Sequence, residues 1–95
     1  MFPSKFLPFS RYRVSGHSME PLFKEGQLVW VKNWAYLFSK PRVEDIVVFK
    51  FQGKELVKRV KQVNDGAFEV AGDNSSDSLK TGEIRLDTVV GKVLK

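Results

Sequence analysis

The sequence predicts an all-β protein, built as a small, strongly twisted sheet or a partly closed barrel. Apolar residues recur with period two, or in short runs of β-branched and aromatic residues, rather than at helical spacing. Turn residues separate these runs at intervals of about 8–12 residues. With 95 residues, the chain has the size of one domain, which buries about 60–70% of the surface that its unfolded chain exposes.

The first predicted strands lie in the middle of the chain. Residues 28–31 (LVWV) follow the turn residues Glu25-Gly26. Residues 45–51 (DIVVFKF) are β-branched and aromatic, as strands usually are. The turn residues 52–54 (QGK) separate them from a second apolar alternation over residues 55–63. Together the last three segments predict a hairpin.

A second hairpin is predicted around residues 64–66 (NDG), because Asp-Gly favours a type I′ turn. Its return strand covers residues 67–70, and a last strand covers residues 88–94. Two stretches, residues 19–26 and 75–82, lack this alternation and are predicted to be irregular. Loops carried by a rigid sheet are where functional residues usually lie, so these two stretches are the first places to look for a site.

Composition excludes several kinds of chemistry. The chain has no cysteine and one histidine, His17, so disulfides, a thiol nucleophile and Cys-ligated or His-pair metal sites are excluded, and no cofactor is expected. A net charge of +5 permits nucleic acid or an anionic membrane surface as a partner. No apolar run approaches the roughly 20 residues of a membrane-spanning helix. Prolines and charges interrupt residues 1–13, which argues against a signal peptide.

The remaining nucleophiles are hydroxyls, and a serine needs a base to accept its proton. His17 directly precedes Ser18, and neighbours in an extended segment point to opposite faces, so this imidazole is badly placed. A lysine base remains, provided that burial favours its neutral form. Lys58 shares its strand face with Leu56 and Val60, so we expect it to face apolar neighbours. The alternative is a lysine at a strand edge with its ammonium in water.

Three segments resemble, in order, the conserved boxes of type I signal peptidases and their relatives. Residues 14–22 (VSGHSMEPL) resemble the G-x-S-M-x-P-x-L box, and residues 57–60 (VKRV) resemble the box in which lysine precedes arginine. Residues 72–78 (GDNSSDS) resemble the G-D-N…S-x-D-S-R box. Residues 41–49 also resemble the family's P-x-x-G-D-I-V-V-F strand, and residues 91–93 (GKV) resemble its closing strand.

The resemblance covers residues 14–95, which it identifies as a signal peptidase-like catalytic domain after an N-terminal extension of residues 1–13. It implies the catalytic-core fold shared by signal peptidases and LexA, in a small single-domain member without a transmembrane anchor. The implied function is that of a serine endopeptidase with a Ser/Lys dyad, which removes leader or signal peptides after small residues.

The same resemblance assigns roles to individual residues. Ser18 is the nucleophile, and its backbone N–H contributes to the oxyanion hole. Lys58 is the general base, and Ser75 supplies the hydroxyl that orients it. No metal is implied. The residues expected to shape the surrounding loops are Gly16, Met19, Pro21, Gly72, Asp73, Asn74, Asp77 and Ser78.

Three residues depart from the family pattern. Gln27 stands where aspartate is usual, and Glu44 replaces a glycine directly before the strand predicted at residues 45–51. Leu79 stands where the last box carries an arginine that ties its loop together through ion pairs. Lys80 and Arg85 are the candidates to replace that arginine, although lysine lacks its planar fork. The substitution at position 79 affects the geometry of this loop more than the chemistry.

Other functions remain open at this point. Small relatives, such as the nickel-type superoxide dismutase maturation proteases, cleave a leader from a single partner. An inactive relative that binds peptides is another alternative. Self-cleavage as in LexA-type repressors is not expected, because the 17 residues before Ser18 contain no Ala-Gly or Cys-Gly pair. A small basic β-barrel that binds single-stranded nucleic acid leaves all three boxes unexplained.

The expected partner is a peptide or protein substrate with small residues before the cleavage site, and nucleic acid is not expected. A signal peptidase would act at the extracytoplasmic membrane surface, whereas a maturation protease would act in the cytoplasm. His17 is expected to be a partly exposed loop residue, with substrate contact as the alternative. Four aromatic residues are either core and surface residues or membrane-interface residues, namely Trp30, Trp34, Tyr36 and Phe38.

Overall fold

A computed structural model describes residues 7–74 and 81–94, and half of these residues lie in strands. All pairings between neighbouring strands are antiparallel. The described part contains no α-helix, only one turn of 3-10 helix at Leu86–Thr88. The predicted all-β class is therefore confirmed. The strands are β1 (Phe9–Arg13), β2 (Leu28–Lys32), β3 (Ile46–Phe51), β4 (Lys54–Asn64), β5 (Ala67–Ala71), β6 (Glu83–Arg85) and β7 (Val89–Leu94).

The seven strands form one sheet in the order β1-β2-β7-β3-β4-β5-β6. Strands that follow each other along the chain are paired, with two exceptions. The last strand, β7, is inserted between β2 and β3, so it separates these two strands and does not pair with β6. Because β1 and β6 lie at opposite edges, the sheet is open. This single antiparallel sheet that is not closed agrees with the predicted fold class.

Five strands were predicted from alternation and two were not. The edge strand β1 lies within the segment predicted to be an N-terminal extension, and it pairs along its whole length with β2, from Phe9 opposite Lys32 to Arg13 opposite Leu28. Its sequence is largely polar and basic, so it lacks the apolar alternation of a half-buried strand. The other edge strand, β6, has only three residues, too few to show a period.

The hydrophobic core consists of two clusters on opposite faces of the sheet. In the central strand β3, Ile46 and Val48 belong to the first cluster, whereas Val47 and Phe49 belong to the second. This division follows from the alternation of side chains along a strand. The other buried members of the first cluster are Val14, Met19, Phe23, Val29, Val31, Val57 and Val93, and those of the second are Val60, Phe68, Val70 and Ile84.

The two tight hairpin turns differ in backbone conformation. Gln52 and Gly53, between β3 and β4, have φ angles of 51° and 78°, as a type I′ turn requires. Between β4 and β5 only Gly66 has a positive φ, of 86°, so the prediction of a type I′ turn at Asp65-Gly66 is wrong. The hairpin itself forms, because Asp-Gly also suits turns in which glycine alone has positive φ.

The left-handed backbone of Gln52 generates a stability prediction. Asparagine adopts this conformation more readily than glutamine and is preferred before glycine in type I′ turns. Gln52→Asn is expected to raise the free energy of unfolding by about 0.5–1 kcal/mol, measured by urea denaturation. Asp65→Asn is the control, since its φ is not positive and little change is expected. An equal gain from both substitutions, or no gain from the first, would contradict this explanation.

Candidate active site

Residues 14–27, called the serine loop below, form a closed excursion from the sheet between β1 and β2. Two hydrogen bonds close its base: the Val14 N–H donates to the Gln27 carbonyl, and the Gly26 N–H donates to the Val14 carbonyl, both at 2.8 Å. Gly16 has a φ of +84°, a conformation that favours glycine. The predicted irregular stretch therefore has a defined and anchored path.

Met19 fastens the serine loop to the core. It is completely buried and packs in the first cluster with Val14 and Phe23. The Phe23 N–H donates to the Met19 carbonyl at 3.0 Å. Ser18, the residue before this anchor, is half-buried, and Pro21 is exposed after a cis peptide bond. Burial of Met19 thus restricts the position of the neighbouring serine.

His17 lies on the exposed side of the serine loop. Its Nδ1 is 2.6 Å from Oε2 of Glu20, and its Nε2 is 3.6 Å from Oε1 of Glu25. The imidazole is 51% exposed, which matches the expectation of a partly exposed loop residue. The contacts with two carboxylates give the ring a local structural role, and substrate contact by His17 stays a prediction.

Lys58 is buried in the centre of β4. Only 2% of its surface is exposed, and it is the one buried polar or charged residue of ranges 7–74 and 81–94. It pairs across the ladder with Val47 of the second cluster. Its neighbours on the same face, Leu56 and Val60, also pack in that cluster. The predicted apolar surroundings of this lysine are confirmed, and the exposed strand-edge alternative is wrong.

The described part of the third motif, residues 72–74, leaves the end of β5 and contacts the serine loop. The Asn74 N–H donates to the Ser18 carbonyl at 2.7 Å. The Asn74 side-chain amide donates to the His17 carbonyl at 3.0 Å. Two hydrogen bonds from one asparagine therefore fix the backbone on either side of the Ser18 nitrogen.

Asp73 connects the same loop to β4. Its two carboxylate oxygens accept hydrogen bonds from Nε and Nη2 of Arg59, each at 2.8 Å. This bidentate geometry is the strong form of an arginine–carboxylate pair. Arg59 directly follows Lys58, so residues 72–74 link the serine loop to the strand that carries the buried lysine. The structure therefore brings the first two motifs together with residues 72–74 of the third.

Arg59 holds the loop of the candidate site, a role that was not predicted from the sequence. Its side chain is 12% exposed, and its Nη1 donates to the Glu44 carbonyl at 3.3 Å. The hydrogen bonds to Asp73 raise the pKa of its guanidinium, so it stays charged. Arg85, a candidate for the missing arginine, instead lies 3.8 Å from Asp87 at an exposed position. The available signal was the place of Arg59 in the second motif, directly after the lysine.

Five residues singled out in the sequence lie outside the described ranges, and their roles stay predictions. They are Ser75, Asp77, Ser78, Leu79 and Lys80. The pairing of Ser18 with Lys58 as a dyad also stays a prediction.

Glu44, one of the departures from the family pattern, has a φ of 81°. This left-handed backbone explains why glycine is usual at that position.

Residues 7–74 and 81–94 contain neither a candidate metal centre nor a candidate membrane-spanning helix. These residues contain no group of three or more His, Cys, Asp or Glu side chains that could hold a metal ion. No helix in the same ranges has the length and apolar character needed to cross a bilayer.

Residues 10–94 match the sequence model of the Peptidase S24-like family. The chain therefore belongs to this family, whose fold is that of the LexA and signal peptidase superfamily. The match includes all three motifs and begins within β1. No curated protein matches the chain significantly. The resemblance is thus confirmed at the level of a serine peptidase family, and its assignment to type I signal peptidases is a finer proposal.

The Arg59–Asp73 pair can be tested by a double-mutant cycle on unfolding. Because removal of one partner leaves the other charge poorly compensated, Arg59→Gln and Asp73→Asn are each expected to cost about 1–3 kcal/mol. The coupling energy is expected to be about 1–2 kcal/mol. Arg59→Lys should recover only part of the loss, since lysine cannot form the planar fork.

The control for this cycle is the exposed pair Arg85 and Asp87, with the same substitutions. Its coupling is expected to stay below about 0.5 kcal/mol. Similar coupling energies in the two cycles would show that the Arg59–Asp73 pair has no special structural role.

Proposed function

We propose that this protein is a serine endopeptidase in which Ser18 is the nucleophile and Lys58 is the general base. The observation that carries the proposal is the burial of Lys58, with 2% of its surface exposed, on an apolar face of β4. Burial of a lysine is rare and costs stability, so a lysine retained at a buried position indicates a functional use. Membership of a serine peptidase family provides that use.

Burial disfavours the charged form of a lysine, so the amine at position 58 is suited to accept a proton. In the first step it accepts the Ser18 hydroxyl proton while Oγ bonds to the scissile carbonyl carbon. The proton then passes to the departing amine as the peptide C–N bond breaks, which leaves an acyl-enzyme. Water, deprotonated by the same lysine, cleaves this ester and regenerates the hydroxyl. No other reactant is required.

The fixed backbone around Ser18 supports this mechanism. The N–H of Ser18 is the proposed oxyanion donor, and the adjoining carbonyls of His17 and Ser18 are both held by Asn74. The bidentate contact between Arg59 and Asp73 holds the loop that supplies Asn74. The anchoring of residues 73 and 74 favours an active peptidase over an inactive peptide-binding relative.

The proposed substrates are leader or signal peptides, bound in an extended conformation and cleaved after small residues. Association with a membrane surface is part of this proposal. It is supported by the exposed aromatic and aliphatic residues of the loop after β2, where Leu37 is 60% and Phe38 is 99% exposed. Aromatic residues are favoured at the membrane–water interface.

The dyad is tested with the full chain and a peptide library that has alanine before the cleaved bond, read by mass spectrometry. Ser18→Ala and Lys58→Met are each expected to lower kcat/KM by at least about a thousandfold, because neither group acts without the other. The controls are Ser15→Ala, exposed in the same loop, and Lys61→Met, exposed on the same strand. Both controls should retain activity.

Retained cleavage in either dyad variant would refute the assignment. If the unmodified chain binds these peptides without cutting them, it is a peptide-binding relative instead.

The requirement for a neutral amine at Lys58 also predicts the pH dependence of the reaction. Only the neutral amine accepts the serine proton, so kcat/KM is expected to rise with pH and reach a plateau as Lys58 deprotonates. The measurement is a pH profile of kcat/KM with the best peptide of the library. A rate that falls as pH rises through the neutral range would exclude a lysine base.

A further inference from the structure

A cavity of about 380 Å³ lies beside the sheet, away from the serine loop. Its walls come from the end of β2, the start of β3, the end of β7 and the loop of residues 35–42. Four of the lining side chains are cationic and one is acidic, which gives a formal charge of +3 around the cavity. The charged lining residues are Lys32, Lys40, Arg42, Lys92 and Asp45.

The single acidic group, Asp45, already has its own partners. Its Oδ2 accepts hydrogen bonds from the Tyr36 hydroxyl at 2.8 Å and from the Arg42 N–H at 3.0 Å. Its Oδ1 is 3.5 Å from the Lys92 ammonium. Burial opposes ionisation of this carboxyl, but these contacts outweigh it, so the pKa of Asp45 lies below its ordinary value. Asp45 and Lys92 therefore compensate each other.

The other three cations have no such compensation from the residues that the structure describes. Within the described ranges, Lys32, Lys40 and Arg42 have no acidic side chain within ion-pair distance. Like charges gathered around a concave space repel one another and focus a positive potential into it. An anionic ligand with two or more charges would relieve this repulsion, and Arg and Lys together are the side chains that bind phosphate groups.

The cavity is separate from the proposed dyad. Cross-strand pairs connect Lys58 to Val47, Val47 to Lys92 and Lys92 to Lys32. Lys92 is therefore two strands away from Lys58, which corresponds to about 10 Å between their Cα atoms. A ligand held by the cavity would occupy a second site, whose existence does not depend on the peptidase function.

We infer that this cavity is a binding site for a phosphate monoester or diphosphate group. Three uncompensated cations match a group with two or more negative charges better than a single carboxylate. The phosphate comes either from a free phosphorylated molecule or from an anionic lipid headgroup. The second source is relevant because Leu37 and Phe38, both exposed, belong to the loop that lines the cavity.

Isothermal titration of the full chain with inorganic pyrophosphate tests the site, and acetate is the singly charged comparison. Pyrophosphate should bind and acetate should not, and the affinity should fall as salt is added. The variant Lys40→Gln with Arg42→Gln is expected to bind at least about tenfold more weakly. The matched control, Lys50→Gln with Lys61→Gln, removes the same charge from exposed strand positions outside the cavity and should change affinity less than about twofold.

Sedimentation with phosphatidylcholine vesicles, with and without phosphatidic acid, separates the two phosphate sources. Binding to the phosphatidic acid vesicles that is lost in the cavity variant but retained in the control identifies a lipid headgroup. Pyrophosphate binding without vesicle binding identifies a free ligand. If neither probe binds, or if the control loses as much affinity as the cavity variant, the inference is wrong.

Discussion

The bidentate ion pair between Arg59 and Asp73 is the interaction on which the geometry of the candidate site depends. It joins β4 to the loop that follows β5 through two hydrogen bonds of 2.8 Å. That loop then reaches the serine loop through Asn74. Three segments distant in sequence are thus held by one asparagine and one arginine. The pair is largely shielded from water, with Arg59 12% and Asp73 19% exposed, so solvent screens it less than a surface ion pair.

The sheet provides the rigid support that this linkage requires. Its central strands are packed on both faces, and β7 fits between β2 and β3 only because residue 91 is glycine. A Cβ atom there would lie 2.7 Å from the Lys32 carbonyl oxygen and 2.7 Å from a methyl group of Val31. Lys58 is buried where two packed strands flank it. A strand flanked in this way can hold a polar side chain in apolar surroundings, whereas a loop would move until water reached that side chain.

Different parts of the sheet support the serine loop, the buried lysine and the basic cavity. The first cluster anchors the serine loop through Met19, whereas Lys58 pairs across the sheet with Val47 of the second. The basic cavity lies farther across the sheet, where Lys32 and Lys92 pair on adjacent strands. Proteolysis and anion binding would therefore use different strands of the same sheet. Because of this separation, a lipid headgroup bound in the cavity would hold the protein at a membrane surface without contacting the proposed catalytic groups.

The sequence alone determined the all-β class, most strands and the apolar surroundings of Lys58, because these depend on local alternation with period two. The order of the motifs likewise indicated the family before any coordinates. Tertiary structure decided what depends on a distant partner: β1 is a strand because β2 offers its edge, and Arg59 holds the third loop because Asp73 faces it. The cavity arises in the same way, since its cations come from separate segments. Local sequence patterns do not predict such long-range contacts, because the interaction energy of these contacts arises only when the chain has folded.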